Sequence, residues 1–537
     1  MTNDVEDRGR ATGPWAGADG AMLDVVLSDL AGIVGEANVH RDDALATEFR
    51  DPYDVPDWDA HWPSAVVQPA DVDEVQAIVR VANRSGVPLW VNSQGKNNGY
   101  GGGAPRVRGS IVVNLRRLDR ILEIDEELGY AVVEPGVSFY DLLDELDRRG
   151  GEWWASTPDL GWGSVIGNSV DHGVGYTEFG DHATTLHGME VVLPDGELVR
   201  TGMWASSRSR AAHVHPRGFG PDIAGLFRQS NLGIVTKVGV RLIPKPETYA
   251  PLRYKVFEKD GLGGLVDATR ALQYEGTIRN IPVIGGVLGT AAMRGPRAHW
   301  FDGPITDEAY MRTMREFGSG WWNMRAALFG PDEIVRSQLG RIERHLTNAL
   351  PGGEFSATPV SGDDVNEHTL PLHPDRVQAG RPSQSLLKAI EWWGPDGGHL
   401  EVAAVGRYSG AEVVRCGAIL REEMEAAGFD FWPSITFYPR SFIYLGVIIF
   451  DRANTAQVQA AYDLYDRLIR RLGDEGFPLY RGHVRGMDSI AEQYDWNDHA
   501  YRRLVERVKG ALDPNGVLAS GKQGIWPPRP AGVSARP

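Results

Sequence analysis

The chain has 537 residues, a formal net charge of −17 and a single cysteine, Cys416. Its length allows about two to four domains, and one cysteine excludes an intrachain disulfide, a thiolate zinc site and an iron–sulfur cluster. The excess of acidic residues argues against a surface that binds nucleic acid. The longest apolar run, 442–450, is far shorter than the ~20 residues of a membrane span. Because the N-terminal residues show no secretory signal, we expect a cytoplasmic protein without nucleic-acid or membrane partners.

The first part of the chain has the pattern of an α+β domain. Residues 1–62 are rich in Asp and Pro in patches and are predicted to form a leader with one or two helices. A helix is predicted over 71–85, because Asp71 and Glu74 resemble a capping box, an apolar stripe follows at helical spacing, and Gly86 ends it. Further predicted elements are strands at 87–91, 110–115 and 131–134, a helix capped by Ser138, and a hairpin with an Asp-Gly turn within 189–200.

Two Gly-rich segments, 92–103 and 161–168, are predicted to be loops between strands. Glycines let a backbone approach a phosphate closely and direct its amide N–H groups at it. Neither segment gives a Rossmann fingerprint or a P-loop in the required context. The residues therefore indicate a dinucleotide or phosphate site of another type, with tight turns alone as the alternative.

From about residue 250 the pattern changes to longer helices and separate strands, which predicts a second α+β domain. Its helices are expected at 332–350 and 455–472, and its strands at 398–405 and 444–451. One more helix and a rigid closing segment follow residue 500, and we expect this segment to pack on the first domain, with the last ten residues frayed. Neither a His-Glu-x-x-His zinc motif nor a Gly-x-Ser-x-Gly nucleophile elbow occurs, so we expect no metal site.

Several short motifs occur in order along the chain: Asn-Asn-Gly-Tyr-Gly-Gly-Gly (97–103), Pro-Asp-Leu-Gly-Trp-Gly-Ser (158–164), Gly-Val-Gly-Tyr-Thr (173–177), Gly-Gly-His-Leu (397–400), Leu-Tyr-Arg (479–481) and Asp-Pro-Asn-Gly (513–516). Together they resemble the vanillyl-alcohol oxidase and eugenol oxidase flavoproteins, relatives of p-cresol methylhydroxylase, over about residues 45–527. The resemblance implies an α+β fold with a two-subdomain FAD-binding domain of the p-cresol methylhydroxylase type, at 63–250. It also implies an α+β cap over 251–495 and a segment at 496–537 that returns to the FAD domain.

The resemblance also implies roles for individual residues. Tyr100, Tyr480 and Arg481 fall where the family holds a phenolate substrate, and Asp159 falls on the acidic residue near the flavin N5. His399 falls on the histidine that is bonded covalently to the flavin 8α-methyl group. Further residues implied to contact FAD are Ser93, Gln94, Gly95, Lys96, Asn97, Asn98, Pro158, Gly163, Ser164, Gly167, Asn168, Gly173, Gly175, Tyr176, Val235 and Lys522.

The substrate pocket is expected to depart from that of close relatives at Glu401 and Ala403. A carboxylate beside a phenol pocket is costly unless it is paired or hydrated. Our hypothesis is that Glu401 contacts an extra polar group of the substrate; the alternative is that it pairs with an arginine, for instance Arg407. The complete set of expected pocket residues is Leu160, Glu401, Ala403, Phe431, Ser434 and Thr436.

The implied activity is an FAD-dependent oxidation of 4-hydroxybenzylic alcohols or of 4-alkyl- or 4-allylphenols, through a p-quinone methide, with dioxygen as acceptor and hydrogen peroxide as product. The implied assembly is a homodimer or a higher oligomer. The alternative is a cytochrome-coupled methylhydroxylase-type dehydrogenase; histidine at 399, where that enzyme has tyrosine, favours the oxidase. A sugar oxidase of the same superfamily would carry a flavin-linking histidine in the first Gly-rich loop, which 93–98 lacks. A flavin-free binding protein would be colourless.

Overall fold

The computed structural model describes residues 20–41, 48–53 and 61–528. Parts of the expected leader and the expected fraying of 529–537 lie outside these residues. None of the helices within the described ranges is both long and apolar enough to cross a membrane.

The chain begins with a small sheet and two helices. These elements are α1 (Gly20–Val34), β1 (Val39–His40), β2 (Ala65–Val67), α2 (Val72–Ser85), β3 (Leu89–Asn92) and β4 (Ile111–Asn114). The strand order is β1-β2-β4-β3, with β2, β3 and β4 parallel and β1 antiparallel to β2. Although we expected a separate leader, apolar residues of α1 share one core with α2 and this sheet.

The second sheet is antiparallel and completes the first domain. Its elements, with a small accessory strand pair, are β5 (Ile121–Asp125), β6 (Tyr130–Val133), α3 (Phe139–Arg148), β7 (Trp153–Trp154), α4 (Val165–Val170), β8 (Leu186–Val192), β9 (Leu198–Arg200), β10 (Ile234–Arg241) and β11 (Ile243–Pro244). The order is β5-β6-β10-β8-β9, and β7 pairs with β11. The predicted Asp-Gly hairpin is confirmed as the β8–β9 pair.

The remaining chain forms a cap built on a large antiparallel sheet. Its elements, followed by the closing helices, are β12 (Thr248–Val256), α5 (Leu262–Tyr274), β13 (Val283–Gly285), α6 (Val287–Ala292), α7 (Asp307–Phe317), β14 (Trp322–Gly330), α8 (Asp332–Ala349), β15 (Glu354–Ala357), β16 (Val360–Ser361), α9 (His373–Val377), β17 (Gly397–Arg407), α10 (Gly410–Ala426), β18 (Pro433–Phe437), β19 (Ser441–Asp451), α11 (Thr455–Asp474), α12 (Met487–Ala491) and α13 (Trp496–Leu512). The order is β15-β12-β14-β13-β18-β19-β17, and β16 pairs with β12.

The two faces of the cap sheet have different roles. Helices α5, α8, α10 and α11 bury their apolar residues in one core with the strands. The Tyr254 hydroxyl donates to the Leu346 carbonyl of α8 at 3.2 Å, whereas the neighbouring Arg253 and Lys255 line a cavity. Since side chains alternate along a strand, one face packs on helices and the other faces the first domain.

The closing segment returns to the first domain. The Leu89 carbonyl of β3 accepts a hydrogen bond from the Ala519 N–H, and the Leu89 N–H donates to the Val517 carbonyl, each at 2.8 Å. The buried Lys509 ammonium donates to the Leu518 carbonyl at 2.7 Å. These bonds hold 517–519 beside β3, where the first Gly-rich loop begins.

Local differences from the predicted elements have local causes. The Asp71 carboxylate accepts from the Glu74 N–H as expected, but the Glu74 carboxylate accepts from the N–H of Ala70, one residue before the N-cap. The second Gly-rich segment is not entirely a loop, so that prediction is wrong. It contains α4, because the Ser164 side chain accepts from the Gly167 N–H and caps a short helix.

Candidate active site

A cavity of about 1070 Å³ lies between the first domain and the cap sheet. Its walls include both Gly-rich segments, the cap-sheet face opposite the helices, residues 480–484 and the closing segment. The cavity wall therefore combines segments that lie far apart in the sequence.

Tyr100, Tyr480 and Arg481 meet at one part of the cavity wall. The Arg481 guanidinium carbon lies 4.3 Å from the centre of the Tyr100 ring. Burial raises the pKa of both tyrosines, and the nearby Arg481 charge only partly offsets this rise for Tyr480. Burial alone would lower the pKa of Arg481, but its interactions with Tyr100 and Tyr480 outweigh burial and raise it. The cluster therefore offers two neutral hydroxyl donors and one permanent positive charge.

Three hydrogen bonds hold Tyr480 and Arg481 between the cap and the first domain. The Tyr480 N–H donates to the Ala403 carbonyl of β17 at 3.3 Å. The Gln229 side-chain amide donates to the Tyr480 carbonyl at 2.9 Å. The Arg481 Nη2 group donates to Asn97 Oδ1 in the first Gly-rich loop at 2.8 Å.

His399 and Glu401 lie two residues apart on β17 and face the cavity together. The His399 Nε2 atom is 3.4 Å from a Glu401 carboxylate oxygen. Burial would raise the pKa of Glu401, but its interactions with His399, Tyr100 and Arg481 outweigh burial and lower it. Glu401 is therefore an anion beside this histidine.

The arginine that we considered as a partner for Glu401 lies elsewhere. Arg407 is at the far end of β17 and donates to Glu412 at 2.7 Å. Its side chain is 84% exposed, whereas that of Glu401 is 24% exposed. Pairing of Glu401 with Arg407 is therefore wrong, because five residues of extended strand lie between the two.

Asp159 and Tyr176 form a second polar group in the cavity wall. The Tyr176 hydroxyl donates a short hydrogen bond to the Asp159 carboxylate. The Asp159 carbonyl accepts from the Ser383 N–H of the cap at 2.9 Å. Burial, and then the Asp159 charge, raise the pKa of Tyr176 well above its ordinary value. Tyr176, which we expected to contact the cofactor, thus also holds Asp159 in place.

The two Gly-rich segments approach each other closely. A Cβ atom at Gly167 would lie 2.2 Å from Ser93 Oγ, so only glycine permits this contact. The Asn114 side chain donates to the Ser93 carbonyl at 2.7 Å and fixes the start of the first loop. Predicted cofactor and pocket residues that do line the cavity are Ser93, Gln94, Gly95, Lys96, Asn97, Asn98, Pro158, Leu160, Gly163, Ser164, Gly167, Asn168, Tyr176, Val235, Ser434 and Lys522.

Two predicted cofactor residues, Gly173 and Gly175, are not in the cavity wall. They lie behind it, where the Gly173 N–H donates to the Asn168 carbonyl at 2.8 Å. A Cβ at Gly175 would lie 2.4 Å from His182 Nε2. Their role in this structure is therefore to allow the close packing that supports Asn168.

Three predicted pocket residues, Ala403, Phe431 and Thr436, also lie outside the cavity wall. Ala403 is fully buried beneath the chain at Tyr480. Phe431 packs near Tyr444, with the Arg421 guanidinium of α10 4.7 Å from its ring centre, and so contacts the helical layer. Thr436 lies two residues deeper in the sheet than Ser434 and is 3% exposed.

Other wall residues had no signal in the sequence. Arg325, Asn323 and His373 line the cavity from the cap. Tyr438, which is not in the cavity wall, interacts with Tyr480 and Arg481, and burial raises its pKa. These residues follow no motif, and only the docking of the cap on the first domain determines which of them face the cavity.

Comparison with known proteins identifies the family. Residues 63–202 match the FAD binding domain family, and residues 445–523 match the C-terminal domain of FAD linked oxidases. The 4-cresol dehydrogenase (hydroxylating) flavoprotein subunit of Pseudomonas putida is 32% identical over 471 residues, which cover 87% of this chain and 88% of that protein. The chain belongs to the vanillyl-alcohol oxidase/p-cresol methylhydroxylase family of FAD-linked oxidoreductases.

Solved members of this family have the same fold. A 4-ethylphenol oxidase from Gulosibacter chungangensis, in complex with isoeugenol, is 34% identical with a TM-score of 0.90 and covers 95% of this chain and 98% of its own. The substrate-bound p-cresol methylhydroxylase is 30% identical with a TM-score of 0.88 and the same coverage. The predicted family and the predicted α+β FAD-binding fold are both confirmed.

The residues of the cavity fit FAD, the cofactor of this family's FAD-binding domain. Residues 93–98 and Gly167 line the cavity side by side, and the absence of a side chain at Gly167 allows their backbones this close approach. His399 lines the same cavity, and its Nδ1 atom is buried with no hydrogen-bond partner in the described residues. Among these residues there is also no group of three or more His, Cys, Asp or Glu side chains arranged to hold a metal ion.

Proposed function

We propose that this protein is an oxidase of para-substituted phenols, acting on 4-hydroxybenzylic alcohols or on 4-alkyl- or 4-allylphenols. The observation that carries the proposal is the meeting of Tyr100, Tyr480 and Arg481 in the wall of the cavity that fits FAD. Two relatives, a 4-cresol dehydrogenase and a 4-ethylphenol oxidase, support a para-substituted phenol as substrate.

The cluster has the strength to ionise a phenol. A free phenol has a pKa near 10, so binding it as phenolate near pH 7 requires about 4 kcal/mol. Hydrogen bonds to a charged group contribute roughly 1.5–3 kcal/mol each. Two tyrosine hydroxyls whose pKa values are raised, and therefore stay protonated, can donate to the phenolate oxygen beside the Arg481 charge.

The bound phenolate makes the para substituent a hydride donor. Its negative charge delocalises to the para carbon, and loss of hydride from the benzylic carbon leaves a neutral p-quinone methide. FAD, when bound, supplies the hydride acceptor and passes the electron pair to dioxygen, which gives hydrogen peroxide. Asp159, oriented by Tyr176, would act as acid or base on this intermediate or on the water that adds to it.

His399 is the proposed covalent anchor of FAD, through the 8α-methyl group. Support comes from its place on the cavity wall and from Glu401, whose carboxylate can take up a proton or orient the imidazole. A covalent link would keep the flavin in the site and raise its potential. The purified protein should therefore be yellow, and its colour should remain with the pellet after acid precipitation.

A cytochrome-coupled dehydrogenase is the second candidate, because the 4-cresol dehydrogenase of Pseudomonas putida is a close relative over most of the chain. Anaerobic mixing with 4-ethylphenol, vanillyl alcohol or eugenol tests the shared chemistry: the flavin absorbance should bleach. Air is then admitted. Reoxidation with stoichiometric peroxide supports the oxidase, whereas reoxidation only by an artificial one-electron acceptor supports the dehydrogenase, and no bleaching with any phenol contradicts both.

We also propose a homodimer, or a higher oligomer, located in the cytoplasm. Sedimentation of the holoenzyme measures its assembly, and fractionation of the native cells measures its location. A monomer at micromolar concentration would contradict the first proposal.

A further inference from the structure

A row of basic side chains lies on the cavity face of the cap sheet. Arg253 and Lys255 of β12 and Arg325 of β14 all line the cavity. In the register of the two strands Arg253 lies directly opposite Arg325, and Lys255 lies opposite Asn323. Like charges directly opposite each other on neighbouring strands are destabilising, so this arrangement needs a compensating partner.

Two of the three cations have such a partner in the protein. Arg253 forms a short ion pair with the buried Asp375 carboxylate. The Lys255 ammonium lies 3.1 Å from a Glu354 carboxylate oxygen. Each of these charges is therefore neutralised by its own carboxylate.

Arg325 has no carboxylate of its own: its charge also acts on the buried Asp375, but the ion pair of Asp375 is with Arg253. The Arg325 guanidinium takes part in no ion pair and no side-chain hydrogen bond with any of the described residues. A guanidinium has five N–H donors in a planar fork. In Arg325 this fork is half-buried in the wall of the cavity, beside a second arginine. An anion with two oxygens would satisfy both its charge and its geometry.

The location of Arg325 connects it to the reacting part of the cavity. Its guanidinium carbon lies 5.2 Å from the centre of the Tyr176 ring. The hydroxyl of the same ring donates to Asp159. Arg325 therefore lies over the ring whose hydroxyl holds Asp159.

We propose that Arg325 binds a carboxylate at the end of the substrate's para substituent. This inference rests on the proposed function, in which the phenol oxygen is held by Arg481 and the benzylic carbon lies near Asp159. The preferred substrate is then a phenol with a carboxylate-terminated side chain, bound between two arginines. The Arg325 charge, and the hydrogen bond that Tyr176 donates to Asp159, limit the repulsion between the substrate carboxylate and the Asp159 carboxylate.

The test compares carboxylates with their uncharged amides. The substrates are 4-hydroxyphenyl alkanoates from acetate to pentanoate and the matching primary amides, which have nearly the same size. The rate of anaerobic flavin bleaching is measured, since it does not depend on the electron acceptor. For the best chain length, Arg325→Gln should lower the carboxylate-to-amide ratio of rate constants, at subsaturating substrate, by about tenfold or more, because a charge-assisted hydrogen bond is lost. Arg325→Lys should restore part of this ratio.

A binding measurement separates recognition from turnover. 4-Hydroxycinnamate and 4-hydroxycinnamamide have no saturated benzylic carbon that could lose hydride, so their dissociation constants can be read from the flavin spectrum. Arg325→Gln should weaken binding of the carboxylate about tenfold and leave that of the amide nearly unchanged. The control is Arg336→Gln on the exposed face of α8, where Arg336 pairs with Asp332.

The outcomes distinguish this inference from the proposed function. If 4-ethylphenol bleaches the flavin but Arg325→Gln leaves the carboxylate-to-amide ratios unchanged at every length, the carboxylate site is contradicted and the proposed function stands. If no phenol bleaches the flavin, the proposed function is contradicted. The binding of 4-hydroxycinnamate and its amide then still decides whether Arg325 binds a carboxylate. A loss of the same size in Arg336→Gln would contradict a local role for Arg325.

Discussion

The Arg481 Nη2 group donates a hydrogen bond of 2.8 Å to Asn97 Oδ1, a residue 384 positions earlier in the chain. Asn97 belongs to the first Gly-rich loop, and Arg481 follows Tyr480, whose N–H donates to the Ala403 carbonyl of the cap strand β17. The one permanent positive charge of the tyrosine–arginine cluster is thus held from the FAD-binding domain. Its position depends on how the two domains dock.

This bond predicts a graded effect on phenol ionisation. Arg481→Gln should lower kcat/KM for a phenolic substrate about 10- to 100-fold at pH 7, because a charged hydrogen bond worth roughly 1.5–3 kcal/mol is lost. Asn97→Ala should have a smaller effect in the same direction, because the Arg481 charge stays in the cavity and loses only the hydrogen bond that holds it. In both variants the acid limb of the kcat profile, which reports ionisation in the enzyme–substrate complex, should move to higher pH. A uniform loss at every pH would contradict a role for Arg481 in ionising the phenol.

The regular elements could be predicted from local chemistry. Helix α2 begins where Asp71 accepts from the Glu74 N–H and ends where Gly86 adopts a φ of 74°. Helix α3 begins with a full capping box between Ser138 and Asp141. Such signals act within a few residues, so a single sequence contains them. Helix α4 was missed although Ser164 is a good cap, because its six residues lie inside a run of glycines.

The cap side of the site could not be predicted in the same way. The spacing of His399 and Glu401 on one strand places both on one face, but nothing local tells which face meets the cavity. Alternation along the strand also predicts that Ala403 faces the cavity. It does not line the cavity, because the chain at Tyr480 pairs with it and covers it. Arg325 gave no signal at all, because its exposure to the cavity results from the packing of the cap against the FAD-binding domain.

The close approach of Gly99 to His399 predicts a specific defect. Gly99 has a φ of +77°, and a Cβ there would lie 2.6 Å from His399 Nε2. Gly99→Ala should therefore displace the imidazole and lower the fraction of flavin that remains in the acid pellet by at least half. Gly109→Ala is the matched control, because Gly109 has a φ of +81° with no atom within 4 Å of its Cβ position. Both variants carry a backbone cost of about 1–2 kcal/mol, so equal flavin retention would contradict the effect on His399.

The Glu401 carboxylate predicts that Glu401→Gln moves the acid limb of the pH profile in the direction opposite to Arg481→Gln. Burial would raise the pKa of Glu401, but His399, Tyr100 and Arg481 lower it, so the side chain is an anion at neutral pH. A nearby anion disfavours a phenolate. Glu401→Gln should therefore move the acid limb of the kcat profile to lower pH, by about one unit. Glu412→Gln, which only breaks a pair with the exposed Arg407, should leave the profile unchanged.

The outcome of the same variant also bears on the alternative role of Glu401. If the acid limb moves to higher pH instead, the carboxylate assists proton removal rather than opposing the phenolate. If Glu401 contacts an extra polar group of the substrate, as we first expected, Glu401→Gly should lower activity on the preferred substrate more than on vanillyl alcohol. Equal losses on both substrates would contradict that contact.

The buried His182 predicts a loss of stability at acid pH. Its imidazole lies 2.6 Å from Asn168 Oδ1 and 3.1 Å from Ser156 Oγ, and burial lowers its pKa from 6.5 to about 3. Below pH 6.5 the unfolded chain takes up a proton that the folded chain cannot take up until about pH 3, so stability falls through this window. His182→Gln should be the less stable protein at pH 8, where two hydrogen bonds are lost. The difference should narrow by about 2 kcal/mol by pH 5. Thermal unfolding of the holoenzyme between pH 8 and 5 measures this, with the exposed His368→Gln as control. A difference that stays constant with pH would contradict a neutral buried His182.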